Sequence, residues 1–155
     1  MALDVIDQKI LRELQNHGRM PMVELAERVN LTKTPCTQRV HRLEDAGIIR
    51  GYRADLDPAK LDAGRVMVVM VTMDKTSDDA LERFNEAVRY IPEIQGCYMV
   101  AGNFDYLLKV RTKNVEEYRS VLGYKIGQLP NVLQTHSFLV MELVKDEFNV
   151  PIPID

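Results

Sequence analysis

The chain reads TKTPCTQRVHRLEDAG at residues 32–47, and this stretch predicts a helix with two chemically different sides. Thr32 is placed to cap the helix, and Pro35 falls in its first turn, where a missing amide hydrogen costs little. Gly47 marks its end. One side is apolar at helical spacing, which predicts burial. The residues on that side are Cys36, Val40 and Leu43.

The opposite side of this helix is polar and free of acids. Its centre and edge are formed by Thr34, Thr37, Gln38 and His41. The cations at its margins are Lys33, Arg39 and Arg42. Hydroxyl, amide and ring groups suit the base edges of DNA, and cations beside them suit the phosphates. A solvated helix would mix glutamate and lysine around this face, so the pattern favours a helix that reads DNA.

Two shorter helices are predicted upstream. The first begins at Asp4, whose carboxylate can accept from first-turn amides, and it ends before Gly18. The apolar positions at helical spacing are Leu3, Ile6, Ile10 and Leu14 in the first helix and Met22, Leu25, Ala26 and Val29 in the second. A short turn through Asn30 and Leu31 precedes the third helix, and this arrangement is typical of a helix-turn-helix.

Residues 48–54, IIRGYRA, alternate between apolar and polar side chains sufficiently to predict a strand. This strand places Arg50 and Arg53 after the DNA-reading helix. This strand would be either a wing that grips the DNA backbone or a linker strand that pairs with a second subunit. We therefore expect a winged helix-turn-helix domain over residues 1–54, followed by a turn-rich linker at 55–64.

The rest of the chain, 65–155, mixes extended apolar runs with amphipathic helices. In chain order the predicted elements are a strand at 65–74, a helix capped by Ser77, a strand near 94–101, a strand at 106–111, a helix over 114–129 and a strand at 132–144. This βαββαβ order is the ferredoxin-like arrangement, so we expect an α+β protein.

The first strand of this domain is apolar on both faces over residues 66–73, so both faces should be buried. The domain's two helices can cover only one face of the sheet. A sheet from a second copy of the chain is the simplest cover for the other face, which predicts a homo-oligomer.

The composition excludes several classes of protein. The chain has 155 residues, a net charge of −3, 46% hydrophobic and 28% charged residues, as expected of a soluble globular protein. Basic residues concentrate within 33–53, a local patch of the kind that DNA binding requires. The apolar runs are too short for a membrane span, the start lacks a signal-peptide pattern, and two cysteines cannot make a disulfide framework. We expect a reduced, cytoplasmic location.

No catalytic constellation is evident in the sequence. His17, His41 and His136 fall on separate predicted elements, and no glycine-rich nucleotide motif is present. Cys36 and Cys97 are most simply small packing residues. We therefore expect no enzymatic activity, no metal and no cofactor.

Several segments together resemble the Lrp/AsnC family of feast/famine transcription regulators, and its leucine-responsive branch in particular. The resembling segments are DVIDQKIL at 4–11, VELA at 23–26, TPCTQRVHRLEDAGII at 34–49, GNFDYLL at 102–108, VME at 140–142 and VPIP at 150–153. The resemblance covers nearly the whole chain. Asn30, Lys33 and Asn103 depart from residues common in the family, which leaves the effector and the operator open.

The resemblance implies a winged helix-turn-helix joined to a ligand-sensing sheet domain of the RAM type. It implies double-stranded DNA and an amino-acid effector as partners, and dimers that assemble further, commonly to octamers. By position, the residues that would cradle the effector backbone are Gly102, Asn103, Phe104, Asp105 and Tyr106. Neighbouring walls would come from Val115, Thr135, His136, Ser137 and Phe138, with the effector pocket between dimers.

The chemistry of this loop agrees in part with that role. Gly102 allows close backbone approach, Asp105 offers an anion to an ammonium group, and loop amides offer donors to a carboxylate. A plain hairpin turn would account for GNFD equally well.

The expected function is a sequence-specific DNA-binding regulator of amino-acid metabolism, modulated by an amino acid, with leucine as the first candidate. One alternative within the family is a regulator of proline or alanine catabolism. The other is a ferredoxin-like small-molecule-binding protein without a DNA function.

Overall fold

The computed structural model describes residues 2–153. Contacts between residues divide them into two compact units. The first unit extends to Asp55 and also includes residues from Lys145 onward, and the second is Leu56–Val144. The break near Asp55 lies one residue after the predicted end of the DNA-binding domain. No helix in the described part of the chain is long and apolar enough to cross a membrane.

The first unit is built from helices α1 (Val5–Asn16), α2 (Met22–Arg28) and α3 (Lys33–Asp45). Asp4 caps α1 as predicted: its carboxylate accepts from the Asp7 amide at 2.8 Å, and the Asp4 amide donates in turn to the Asp7 carboxylate. The predicted apolar stripes of the helices meet in one core, except for Leu3, which is 37% exposed because it lies before the first turn of α1. The buried members of the core are Ile10, Leu14, Leu25, Ala26, Val29, Cys36, Val40 and Leu43.

Helix α3 occupies the predicted span, with one correction at its start. Thr32 stands at the N-cap position, but its side chain makes no capping hydrogen bond. Asn30, in the turn before it, has a φ of 57°, and Gly47, after its end, has a φ of 68°. These left-handed residues turn the chain at both ends of the helix.

The prediction of a strand over 48–54 is wrong, because the single chain forms no strand there. Those residues form no regular secondary structure. A strand needs a neighbouring strand to accept and donate its backbone hydrogen bonds, and the described residues of the first unit supply none. The segment is instead held to α3 by a hydrogen bond of 2.8 Å from the Tyr52 hydroxyl to Glu44 Oε1.

The C-terminal tail packs with the first unit, whereas the sequence analysis placed it in the second domain. The Gln15 side-chain amide makes two hydrogen bonds with the backbone of Val150, at 3.1 and 3.2 Å. Asn149 Nδ2 donates to Asn16 Oδ1 at 2.8 Å. The tail is therefore bound to the last turn of α1 by amide groups that carry no charge.

The second unit confirms the ferredoxin-like order. Its elements are β1 (Arg65–Met73), α4 (Asp78–Val88), β2 (Ile94–Met99), β3 (Tyr106–Thr112), α5 (Val115–Tyr124) and β4 (Val132–Leu139). The strands form one antiparallel sheet in the order β2-β3-β1-β4. Helices α4 and α5 contribute Phe84, Val88, Tyr118 and Val121 to a core shared with alternate residues of β1 and β3.

Two predicted elements are shorter in the structure. Helix α5 ends at Tyr124, and a 3-10 turn (Ile126–Gln128) replaces its last predicted turn. Gly123, a poor helix former, lies in the last turn of α5. Strand β4 ends at Leu139, where its pairing with β1 stops: Leu139 pairs with Met67, two residues from the start of β1, and the Val140 amide donates to Val66 O.

Helix α5 is capped by Asn114, whose Oδ1 accepts from the Glu117 amide at 2.8 Å. The Glu117 carboxylate in turn accepts from the Lys113 amide.

Candidate DNA interface and effector site

The polar side of α3 is open to solvent, as the DNA-reading prediction requires. Thr34, Gln38 and His41 are exposed, and Thr37 is half-buried. The Thr37 hydroxyl donates to Lys33 O within the helix at 2.9 Å. Since Gln38 lies at the centre of this side, its amide can approach a base edge in the major groove.

His41 and Tyr52 both contact Glu44, the first acid along α3. His41 Nδ1 lies 3.1 Å from Glu44 Oε2, and the Tyr52 hydroxyl donates to Oε1 at 2.8 Å. Partial burial of Tyr52 and this hydrogen bond raise its pKa to about 12. Glu44 therefore connects the end of the predicted DNA-reading surface to the segment that follows it.

This contact predicts a pH dependence of stability at alkaline pH. Neutral Tyr52 is favoured in the folded chain, so its contribution is fully present below pH 10, the ordinary tyrosine pKa, and is lost as the pH rises through about 12. We expect the stability difference between the natural chain and Tyr52→Phe to shrink over that interval. Urea unfolding of both chains across this pH range measures it, and a difference that is independent of pH would contradict the assignment.

Arg39 and Arg42 belong to an ion cluster that the sequence analysis missed. The Asp7 carboxylate, only 1% exposed, accepts from Arg39 Nη1 and from Arg42 Nη2 at 2.8 Å. Arg39 Nη1 also donates to Asp4 Oδ2 at 2.6 Å. The hydrogen bond from the Asp7 backbone amide and the hydrogen bond from the Arg39 guanidinium both lower the pKa of the Asp4 carboxyl. Both arginines are thus bound by carboxylates of α1, whereas the sequence placed them simply at the margin of the DNA face.

The other predicted cations are on the surface. Lys33 is exposed at the start of α3, and Arg50 and Arg53 are exposed in the segment after it. All of the predicted DNA-contact residues therefore fall on α3 or on the segment that directly follows it.

The loop predicted to hold the effector is fixed to one end of β1. Asp105 Oδ2 accepts from the Met73 amide at 2.7 Å, and the Asp105 amide donates to Val71 O at 2.9 Å. The Val100 amide donates to Asp105 O at 2.9 Å and closes the loop. Asp105 therefore has a structural role in addition to any contact with an ammonium group.

Other loop residues differ in accessibility. Gly102 and Asn103 are exposed and Phe104 is half-buried. Tyr106, by contrast, is 1% exposed: its ring lies 4.3 Å from that of Phe84, and its hydroxyl donates to Asn85 Oδ1. Its side chain belongs to the helix-covered core, so Tyr106 offers the predicted effector loop its backbone and not its side chain.

The predicted wall residues do not meet within one chain. On β4, Thr135 and Ser137 pair with Val71 and Val69 on the helix-covered face, while His136 and Phe138 lie on the opposite face. The Ser137 hydroxyl is hydrogen-bonded to the Tyr118 hydroxyl. Val115 follows the far end of β3, about 20 Å from the loop at 3.3–3.4 Å per residue. An effector site that includes Val115 therefore needs a second subunit.

Comparison with known proteins gives a consistent picture for both units. Residues 3–50 match the family described as winged helix-turn-helix DNA-binding, and residues 66–150 match the Lrp/AsnC ligand binding domain. The chain is 50% identical to a proline dehydrogenase transcriptional activator of Rhizobium radiobacter, over 93% of this chain and 92% of that protein. It is 48% identical to the leucine-responsive regulatory protein of Escherichia coli K12, over 92% and 87% of the two chains.

A solved structure agrees with the fold of the whole chain. The transcriptional regulator of Neisseria meningitidis in complex with L-methionine superimposes with a TM-score of 0.91 and 35% identity, over 97% of each chain. The matched families span both units, and the relatives cover almost the full length. The chain therefore belongs to the Lrp/AsnC family of DNA-binding transcription regulators.

Proposed function

We propose that this regulator reads operator DNA with the exposed side of α3, and that an amino acid bound at the 102–105 loop changes its assembly or its DNA affinity. The observation that carries the proposal is the solvent-exposed, acid-free side of α3. The residues assigned to the DNA interface are Lys33, Thr34, Thr37, Gln38, Arg39, His41, Arg42, Arg50 and Arg53. As a DNA-binding regulator it would act in the cytoplasm.

Gln38→Ala tests the base-reading role. Because Gln38 is exposed, its removal should leave the fold intact and relax preference at one base position, at a cost of about 1–3 kcal/mol. Selection of binding sites from random DNA, followed by affinity measurements, reports that preference. Gln128→Ala, an exposed glutamine of the second unit, is the matched control. An unchanged site preference in Gln38→Ala would remove α3 from the base-reading role.

The proposed effector is an apolar or small amino acid that is bound without being transformed. Asp105 would pair with its α-ammonium group, and loop amides would bind its carboxylate. Leucine is the first candidate, followed by methionine, alanine and proline. Relatives named leucine-responsive regulatory protein and the methionine complex support the first two.

A second candidate function is a regulator of one catabolic route, such as proline use. It is favoured by the relatives named proline dehydrogenase transcriptional activator, at 50% and 47% identity. Calorimetry against all twenty amino acids separates the two, since the general regulator should bind leucine and the specific one should bind the substrate of its route.

The proposed assembly is a homodimer through the face of the sheet that carries no helices, with dimers assembling further, to octamers in the fullest case. On that face Val68, Met70 and Leu107 are only half-buried, and Tyr98 and Phe138 are about half exposed. A contiguous apolar patch of this kind marks an interaction surface. The further assembly of dimers would allow a subunit of another dimer to supply Val115 to the effector loop.

A gel shift against the DNA upstream of the protein's own coding region tests both functions together. The shift should change on addition of one amino acid from a panel. If the effector changes the affinity of the protein for DNA, DNA must change the affinity of the protein for the effector by the same factor. Binding of an amino acid with no affinity for any DNA would instead support a small-molecule-binding protein.

A further inference from the structure

We propose that Asp7 is a positioning residue of the DNA interface: it holds the Arg42 guanidinium so that the remaining N–H groups of that side chain bind a DNA phosphate. The inference rests on the proposed assignment of Arg42 to the interface. It adds a residue of α1, buried behind the DNA-reading helix, to the machinery of DNA binding.

The geometry of Arg42 leaves it able to serve both partners. Its contacts to Asp7 are made by Nη2 alone, at 2.8 Å to each carboxylate oxygen. A guanidinium carries five N–H groups in a fixed plane, so Nε and Nη1 are not used by Asp7. The Arg42 side chain is 50% exposed. One edge of the guanidinium is therefore anchored while the rest can contact an anion from solvent.

Arg39 has the complementary role of stabilising the anchor. Its side chain is only 26% exposed, and its Nη1 bridges Asp4 and Asp7. A buried carboxylate is costly unless it is paired and hydrogen-bonded. With Arg39 and the Asp4 amide bonded to it, Asp7 keeps its partners when Arg42 turns its free edge to DNA.

The proposal can be tested by whether removal of the Asp7 charge weakens or strengthens DNA binding. Asp7 is an anion behind a surface that must attract phosphates, so removing its charge should strengthen DNA binding if it acts only at long range. If Asp7 positions Arg42, removing its charge should weaken binding, because the arginine loses its fixed orientation.

The experiment uses the full chain and a random-sequence DNA duplex, with affinity measured over a range of salt concentrations. Asp7→Asn should weaken binding as far as Arg42→Ala does, and each should reduce the slope of log affinity against log salt by about 0.9. In the Arg42→Ala background, Asp7→Asn should have no further effect on DNA affinity. Asp45→Asn, the same charge change at an exposed site on α3, is the control and should not weaken binding.

Equal or tighter binding by Asp7→Asn would overturn the proposal, and so would wild-type binding by Arg42→Ala. The latter result also removes Arg42 from the proposed interface, while the base-reading role of α3 is judged separately by Gln38→Ala. If circular dichroism shows that Asp7→Asn is unfolded, Arg42→Lys takes its place. The lysine side chain ends in one nitrogen and has no second nitrogen to bind a phosphate while the first binds Asp7. The Arg42→Lys chain should therefore bind DNA as weakly as Arg42→Ala does. Wild-type affinity in Arg42→Lys would overturn the positioning role.

Discussion

Met70→Lys is expected to give a folded chain that no longer associates, whereas Val69→Lys, one residue away, should prevent the second unit from folding. Val69 of β1 is fully buried between the sheet and its helices, and it pairs with Leu108 and Ser137. A buried unpaired charge costs on the order of several kcal/mol, a large share of the stability of a small domain. Met70 lies on the opposite face, half-buried in the single chain, where lysine can reach water unless a partner covers it.

Sedimentation and circular dichroism measure the two effects separately. Met70→Lys should retain its secondary structure and sediment as a monomer at micromolar concentration, with weaker binding to DNA that carries paired half-sites, which dimers recognise one helical turn apart. Tyr124→Lys, on the exposed surface of α5, is the control and should change neither property. A Met70→Lys chain that still associates would show that the helix-free face is not the interface.

The order of elements was predictable because burial imposes a period on the sequence. The stripes of α1, α2 and α3 predicted every buried residue of the first core, with Leu3 as the one exposed exception. The βαββαβ order followed from extended apolar runs separated by amphipathic helices. The burial of the Tyr106 side chain was also predictable, because Tyr106, Leu108 and Val110 lie at every second position of β3 and share its buried face.

Other features depend on partners far away in the chain and leave no local pattern. Asp7 is separated from Arg39 and Arg42 by more than thirty residues, so nothing in the sequence indicated that its carboxylate binds both arginines. Strand β4 ends at Leu139, where its pairing with β1 stops, although apolar residues continue along the chain to Val144. Residues 48–54 have the alternation of a strand, but a strand forms only where a neighbour accepts its hydrogen bonds.

Asp105→Asn should abolish most of the effector response while leaving DNA binding without effector unchanged. The asparagine keeps an oxygen that can accept from the Met73 amide, so the loop should stay attached to β1. It loses the negative charge that would pair with the α-ammonium group. A hydrogen bond to a charged group contributes about 1.5–3 kcal/mol, which corresponds to roughly a 10- to 150-fold loss in amino-acid affinity.

Asp105→Ala separates the two roles of this side chain. It removes both the charge and the acceptor of the Met73 amide, so hydrogen exchange at Met73 should quicken in the alanine variant but not in the asparagine variant. Calorimetry with the amino acid that binds the natural chain measures the affinity, and a gel shift without effector measures DNA binding. Asp79→Asn, an exposed carboxylate of α4, controls for the change in net charge. Full effector affinity in Asp105→Asn would mean that the ammonium group is bound elsewhere, because this substitution removes the loop's carboxylate and keeps its backbone amides available as donors to the effector's carboxylate.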